Sequence, residues 1–105
     1  MPAYMIISAK ISDRDAFIDG YGKAAAALVV QFGGRYVLRA PGAEFLEGAS
    51  GTIDLEGASV VVSQWPDKKA ARAFWNSSEY AEVKKLRDGL AECQVLLVEG
   101  EWTGA

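Results

Sequence analysis

The sequence predicts an α+β domain of element order βαββαβ, and three observations carry that prediction. The first is the stretch Phe32-Gly33-Gly34-Arg35-Tyr36-Val37-Leu38-Arg39, where a helical pattern gives way to a strand pattern within three residues. A glycine just past the last helical turn can take the left-handed angles that end a helix, so Gly33 is expected at positive φ, and a second glycine lets the chain reverse tightly. The second is the alternation of Ala3 to Ile11, which reads as a strand leading into a helix. The third is a repeat of that order after the hairpin: strand, helix, and a last apolar strand.

Along the first strand Met5, Ile7, Ala9 and Ile11 point one way, and Tyr4, Ile6, Ser8 and Lys10 the other. The wholly apolar face should carry the helices. Ser12 and Asp13 supply cap chemistry, with Asp15 in the first turn where the helix dipole favours a carboxylate. Phe17, Tyr21, Ala24, Leu28 and Phe32 then form one helical face, weakened by Gly20 and Gly22 and supported by the Ala24 to Ala27 run. After the strand Arg35 to Arg39, Pro41-Gly42 signals a turn and Glu44 to Glu47 reads as a short return strand.

Leu46-Glu47-Gly48-Ala49-Ser50 recurs as Leu55-Glu56-Gly57-Ala58-Ser59. A duplication tolerated in an exposed loop explains it, because loops accept insertions cheaply. Ser59 to Trp65, with Val60-Val61-Val62, reads as a central strand covered on both faces. Asp67 caps a helix through Ala70, Ala71, Phe74 and Trp75, and Ser77 recaps a second segment from Glu79 to about Ala91. The second stripe is Tyr80, Val83, Leu86 or Arg87, and Leu90. Cys93 to Val98 reads as a closing strand buried on both sides.

Composition removes several function classes. At 105 residues the chain is one domain able to bury about two-thirds of its unfolded surface. Its one cysteine, Cys93, cannot close an intrachain bridge, and no apolar stretch followed by a small-residue cleavage site opens the sequence, so a cytoplasmic location is expected. No apolar run approaches the roughly 20 residues that span a bilayer. A formal charge of −3 with interspersed signs argues against a nucleic-acid partner. Gly34 to Arg39 has a superficial likeness to an RNA-binding strand motif, but on the wrong strand and without alternating stacking aromatics. There is no histidine. Imidazole bases and His-ligated zinc or haem are therefore out, and any general base must be Asp, Glu, Lys, Tyr or the cysteine. Asp13, Asp15 and Asp19 read as helix-start solvation rather than a metal site, since no glycine-turned calcium loop is present.

Two split βαβ units with right-handed crossovers give a ferredoxin-like antiparallel sheet, strand order 4-1-3-2, with both helices on one face. The other face needs cover, and a second copy packed sheet to sheet under two-fold symmetry supplies it. The chain resembles the uncharacterised family numbered 1330 among the domains of unknown function. The matching residues are Tyr21, Phe32-Gly33-Gly34-Arg35-Tyr36 with Arg39, Glu47-Gly48, Ala70 to Trp75, Ser77 with Glu79-Tyr80, Leu86-Arg87, and Val95 to Gly100. That resemblance implies a dimeric α+β barrel with a pocket between sheet and helices. It also implies a superfamily that includes cofactor-independent monooxygenases and isomerases acting on small, often aromatic, substrates.

Candidate site residues follow from convergence over that sheet. Arg39 is either a solvated edge-strand charge, sharing a face with Arg35 and Val37, or a guanidinium anchor for an anion. Glu47 is a salt-bridge partner for Arg39 or Arg87, or a general base. Tyr21 and Tyr80 pack in the core with hydroxyls at the rim, or supply those hydroxyls to the polar part of a ligand pocket, and Trp75 is core or an apolar wall. No cofactor and no metal are expected. Three function classes stay open: a small-molecule enzyme, a binding module without turnover, and a purely structural homodimer.

Overall fold

The computed structural model describes every residue except Ser50, Thr52 and Ala105. Strands β1 (Ala3–Ile11), β2 (Arg35–Ala40), β3 (Ser59–Trp65) and β4 (Ala91–Glu99) form one antiparallel sheet in the order β2-β3-β1-β4. This is the ferredoxin-like arrangement that the paired βαβ pattern predicts. Between β1 and β2 run α1 (Arg14–Phe17), a π-helical turn (Ile18–Gly22) and α2 (Lys23–Gln31). Between β3 and β4 run α3 (Lys68–Trp75), α4 (Ser78–Lys84) and a 3₁₀ turn (Lys85–Arg87). No helix among the described residues is long and apolar enough to cross a membrane.

Side-chain caps start three of the helices. Asp13 accepts from the Ala16 amide at 3.1 Å, Asp67 from Ala70 at 2.8 Å, and Ser77 from Tyr80 at 3.0 Å. Each satisfies an amide that the first turn cannot pair internally. Ser77 Oγ also donates to the Phe74 carbonyl at 2.7 Å, so one residue closes α3 and opens α4.

The core lies between the helices and the face of the sheet that carries Ala3 and Met5. Leu28, Val29, Trp65, Ala71, Phe74 and Tyr80 are buried with them. Trp65 is its largest fully buried side chain, with Nε1 donating to Ser63 Oγ at 2.9 Å and its ring 5.0 Å from that of Phe74. Against that indole sits the helix–strand joint. Gly33 has φ +92°, as expected; its amide donates to the Val30 carbonyl at 3.1 Å and the Gly34 amide to Val29 at 2.9 Å. These two bonds define a Schellman motif, which satisfies carbonyls left open by the end of α2. A Cβ at Gly34 would stand 2.9 Å from the Trp65 ring.

The first helical segment is not one continuous α-helix. A π turn at Ile18–Gly22 inserts an extra residue, so the buried residues of α2 are Ala25, Leu28 and Val29, and the stripe passes through Ala25 instead of Ala24. Gly20 and Gly22, poor α-formers, lower the cost of that departure. Glu44 to Glu47 forms no strand: the Phe45 amide donates to Glu56 Oε2 at 2.6 Å rather than to a neighbouring strand. The loop is closed at its base by Ala43 and Ala58, whose amide and carbonyl meet at 2.9 Å, and by the Gly57 amide donating to Ala43 at 2.8 Å. Of the repeated segment, Leu46 to Ala49 is exposed, Ser50 lies outside the described residues, and the second copy runs into β3. The segment after Ser77 ends as α-helix at Lys84 rather than near Ala91, and its 3₁₀ turn buries Arg87 while Leu86 stays 48% exposed.

Among the described residues no helix covers the second face of the sheet; the loop between β2 and β3 reaches only its Lys10 and Gln94 end, and Trp102 its Tyr4 end. Leu96 is 61% exposed and Leu38 and Val98 are exposed too, whereas Val60 and Val62 are half-buried. The expectation that β3 and β4 are buried on both sides is therefore not met by a single chain, because both helical layers pack on the other face.

Gly33→Val and Gly34→Ala are each expected to cost about 1–3 kcal/mol in urea unfolding, the first through φ and the second through the Trp65 ring. Gly20→Ala, where an added Cβ meets nothing within 4 Å, serves as the comparison. Changes at the joint no larger than about 0.5 kcal/mol, the scale of an ordinary surface substitution, would contradict this account of it.

Candidate functional site

A cavity of about 320 Å³ lies between the sheet and the first helical layer. Ile7, Ala9 and Ile11 of β1 with Ser59 and Val61 of β3 make its floor, while Phe17, Ile18, Tyr21, Gly22 and Ala26 cover it. The π turn forms part of that cover, so the irregularity lies at the cavity rather than at a remote surface. Tyr36 and Arg39 approach from β2, Cys93 from β4, and Arg14, Lys23 and Arg87 from the helical side. Its size suits a ligand of one or two rings.

A β-bulge brings Arg39 into this space. Tyr36 pairs with Ser63, Leu38 with Val62 and Arg39 with Val61, leaving Val37 as the extra residue in β2. Simple alternation would have set Arg39 beside Arg35 and Val37. Instead the bulge turns Tyr36 and Arg39 together toward the helices, while Arg35 pairs with Gln64 and donates to its Oε1 at 2.8 Å on the other face. The Arg39 guanidinium carbon lies 4.5 Å from the Tyr36 ring centroid, a cation–π contact at an exposed rim.

At the opposite side, α4 and the 3₁₀ turn place Tyr80 and Arg87. Tyr21 and Tyr80 share a hydroxyl–hydroxyl hydrogen bond of 2.8 Å, and the Arg87 guanidinium carbon sits 5.3 Å from the Tyr21 ring centroid. Burial pushes the Tyr21 ionisation far up, and Tyr80 beside it adds to the shift. Burial also raises Tyr80 and Tyr36, with Arg87 and Arg39 respectively opposing the rise. All three phenols are neutral donors at physiological pH and unsuited to act as bases there.

The lining contains four cationic side chains and no carboxylate. Arg14 Nη2 donates to Ser59 Oγ at 2.7 Å, and Lys23 pairs with Asp19 at 3.6 Å. Arg39 and Arg87 have no ion pair among the described residues. Such a site can hold an anion and stabilise negative charge developing on a bound oxygen. Among the described residues no three metal-ligating side chains cluster.

Of the residues singled out from sequence, Tyr21 and Arg39 line the cavity, and Tyr80 supports it through Tyr21. Trp75 lies behind Tyr80, rings 5.2 Å apart, with the Lys84 ammonium 4.9 Å over it, and does not reach the cavity. Glu47 is exposed in the loop after β2, outside the lining and without an ion pair to Arg39 or Arg87. Sequence reasoning gave no site role to Arg14 or Tyr36, named Cys93 only among the possible bases, and left Arg87 undecided against Leu86. Helical spacing admits both residues, and the 3₁₀ turn selects Arg87.

Fold and cavity together define a ferredoxin-like α+β protein with a cationic, partly apolar pocket. The chain belongs to the family described as Domain of unknown function (DUF1330), whose model matches residues 2–101. It is similar in structure to a protein of unknown function from Rhodopseudomonas palustris, at TM-score 0.73 and 16% identity, over 96% of this chain and 83% of that one. SnoaB, a cofactor-independent oxygenase from Streptomyces nogalater, aligns at TM-score 0.67 and 14% identity over 97% and 95% of the two chains. A dimeric protein of unknown function with a ferredoxin-like fold from Bacteroides fragilis aligns at 0.58 and 11% over 94% and 96%. No curated protein matches the sequence significantly.

The buried tyrosines predict an alkaline limit to stability. Their ionisation is raised in the folded state, so the contribution is intact below the unfolded value of about 10 and is lost as pH rises beyond it. Tyr21→Phe is expected to cost about 1 kcal/mol near neutral pH through the lost hydroxyl pair. Urea unfolding between about pH 9 and 11 should then show a smaller further loss for the variant than for the wild type. Parallel curves would show that Tyr21 does not control the alkaline limit.

Proposed function

We propose that the protein binds a small acidic, aromatic or phenolic molecule in this cavity and acts on its anionic form without a bound cofactor, by oxygenation with molecular oxygen. The observation that carries the proposal is a lining with Arg14, Lys23, Arg39 and Arg87 over an apolar floor and no carboxylate. Such surroundings favour the deprotonated form of a phenol or enol, since nearby cations lower the pKa of a bound acid. An electron-rich anion of that kind is the species that reacts with molecular oxygen. The resemblance of the fold to SnoaB, a cofactor-independent oxygenase, supports the oxygenase reading.

The same proposal takes the protein as a cytoplasmic homodimer joined through the exposed part of the sheet face away from the helices. Exposed Leu38, Leu96 and Val98 support it, as does the dimeric state of the Bacteroides fragilis neighbour. A second reading is a binding module without turnover. It is favoured by the absence of any imidazole or carboxylate base among the lining residues.

Thermal unfolding with salicylate, and with neutral benzamide of similar shape, tests the binding. Salicylate at ten times its Kd should stabilise by about 1.4 kcal/mol, a rise of several degrees in Tm, and benzamide should have no effect. Arg39→Ala should reduce the salicylate shift and Glu47→Gln should leave it unchanged. Equal shifts with both compounds would remove the anion site. Oxygen uptake with a panel of hydroxy-aromatic acids then separates turnover from binding alone.

A further inference from the structure

Two of the cavity's arginines come to it from opposite edges of the sheet, and neither pairs with a carboxylate among the described residues. Arg39 belongs to β2, one edge of the sheet, while Arg87 lies beside Cys93 of β4, the other edge. Two further strands separate these edges, so their backbones are three interstrand spacings apart, about 14 Å. Arg87 is the stronger sign of a ligand. It is only 9% exposed, it lines the cavity, and no carboxylate pairs with it among the described residues. The Cys93 thiol interacts with its side chain, and no oxygen atom among the described residues accepts a hydrogen bond from it. A largely buried arginine with no carboxylate partner is an incomplete ion pair. Beside it, Tyr21 can accept from Tyr80 and turn its own proton toward a bound anion, which adds a neutral donor to the fixed charge.

We propose, building on the anion-binding function above, that the ligand is a rigid dianion. One acidic group enters first and is held by Arg87 with the Tyr21 hydroxyl, its apolar body lies over Ile7 and Val61, and its second acidic group meets Arg39 at the rim. The planar guanidinium fork suits a carboxylate at each end. The floor between the two ends is apolar, which suits a ring spacer better than a hydrated chain. A monoanion would leave one of the two cations without a partner.

Isothermal titration calorimetry with benzene-1,4-dicarboxylate, benzoate and benzene-1,2-dicarboxylate tests this on the intact protein. The 1,4-diacid is expected to bind at least tenfold more tightly than benzoate, and the 1,2-diacid, whose charges lie side by side, no better than benzoate. Arg39→Gln, a change at an exposed rim, should remove the advantage of the second charge, bringing the 1,4-diacid to within twofold of benzoate measured on the same variant. Arg87→Lys, checked for folding by urea unfolding, should weaken both ligands. If benzoate binds and the 1,4-diacid is no tighter, or if Arg39→Gln preserves the difference, the two-ended site is wrong while the anion-binding function stands. If neither binds, both fall together.

Discussion

The close approach of Gly34 to the Trp65 indole is the constraint on which the arrangement depends. Trp65 ends β3, lies at the centre of the aromatic core with Phe74, and occupies the space that any side chain at position 34 would need. The Schellman motif just before it ends α2 and delivers the chain into β2 in the same few residues. Helix, edge strand and central strand are thereby locked together at one end of the domain. The cavity forms toward the other end of the sheet, over Ile7, Ala9 and Ile11.

The cavity end is shaped by two departures from regular structure. The π turn covers the cavity from above, and the bulge at Val37 redirects β2 so that Tyr36 and Arg39 face inward. Each carries an extra residue relative to the regular element. Each also shifts side chains by about one position, which changes the face on which they stand. Without the bulge, Arg39 would lie on the sheet face away from the helices, and the cavity would keep only its helical-side cations.

A cluster of cations around an apolar floor does not favour folding. Arg87 is desolvated with no opposing carboxylate, and Tyr21, Tyr36 and Tyr80 hold their protons because charge is disfavoured where they sit. A core selected only for stability would more readily place an apolar side chain at position 87. On the binding function proposed above, a guanidinium there prepares the cavity for an anion, whose arrival would relieve the charge that the folded protein holds apart.

Local sequence determined the elements and their order because the signals are local. Alternation in β1, the capping residues Asp13, Asp67 and Ser77, and the glycines of the joint act within a few residues, and each operates in the structure as its chemistry requires. The strand order followed from the handedness of two crossovers. Tertiary structure alone decided which polar groups meet. Period-2 alternation set Arg39 on the face of Arg35 until the bulge, a feature of how β2 pairs with β3, reversed it. Helical spacing could not separate Leu86 from Arg87, because the choice rests on a 3₁₀ turn at the end of α4. Glu47 reads as a strand residue only if its backbone finds a neighbour, and the Phe45 amide instead finds the side chain of Glu56. A one-residue shift in backbone register is invisible in composition and spacing, yet it moves a side chain from one face of a sheet or helix to another, and the site depends on those faces.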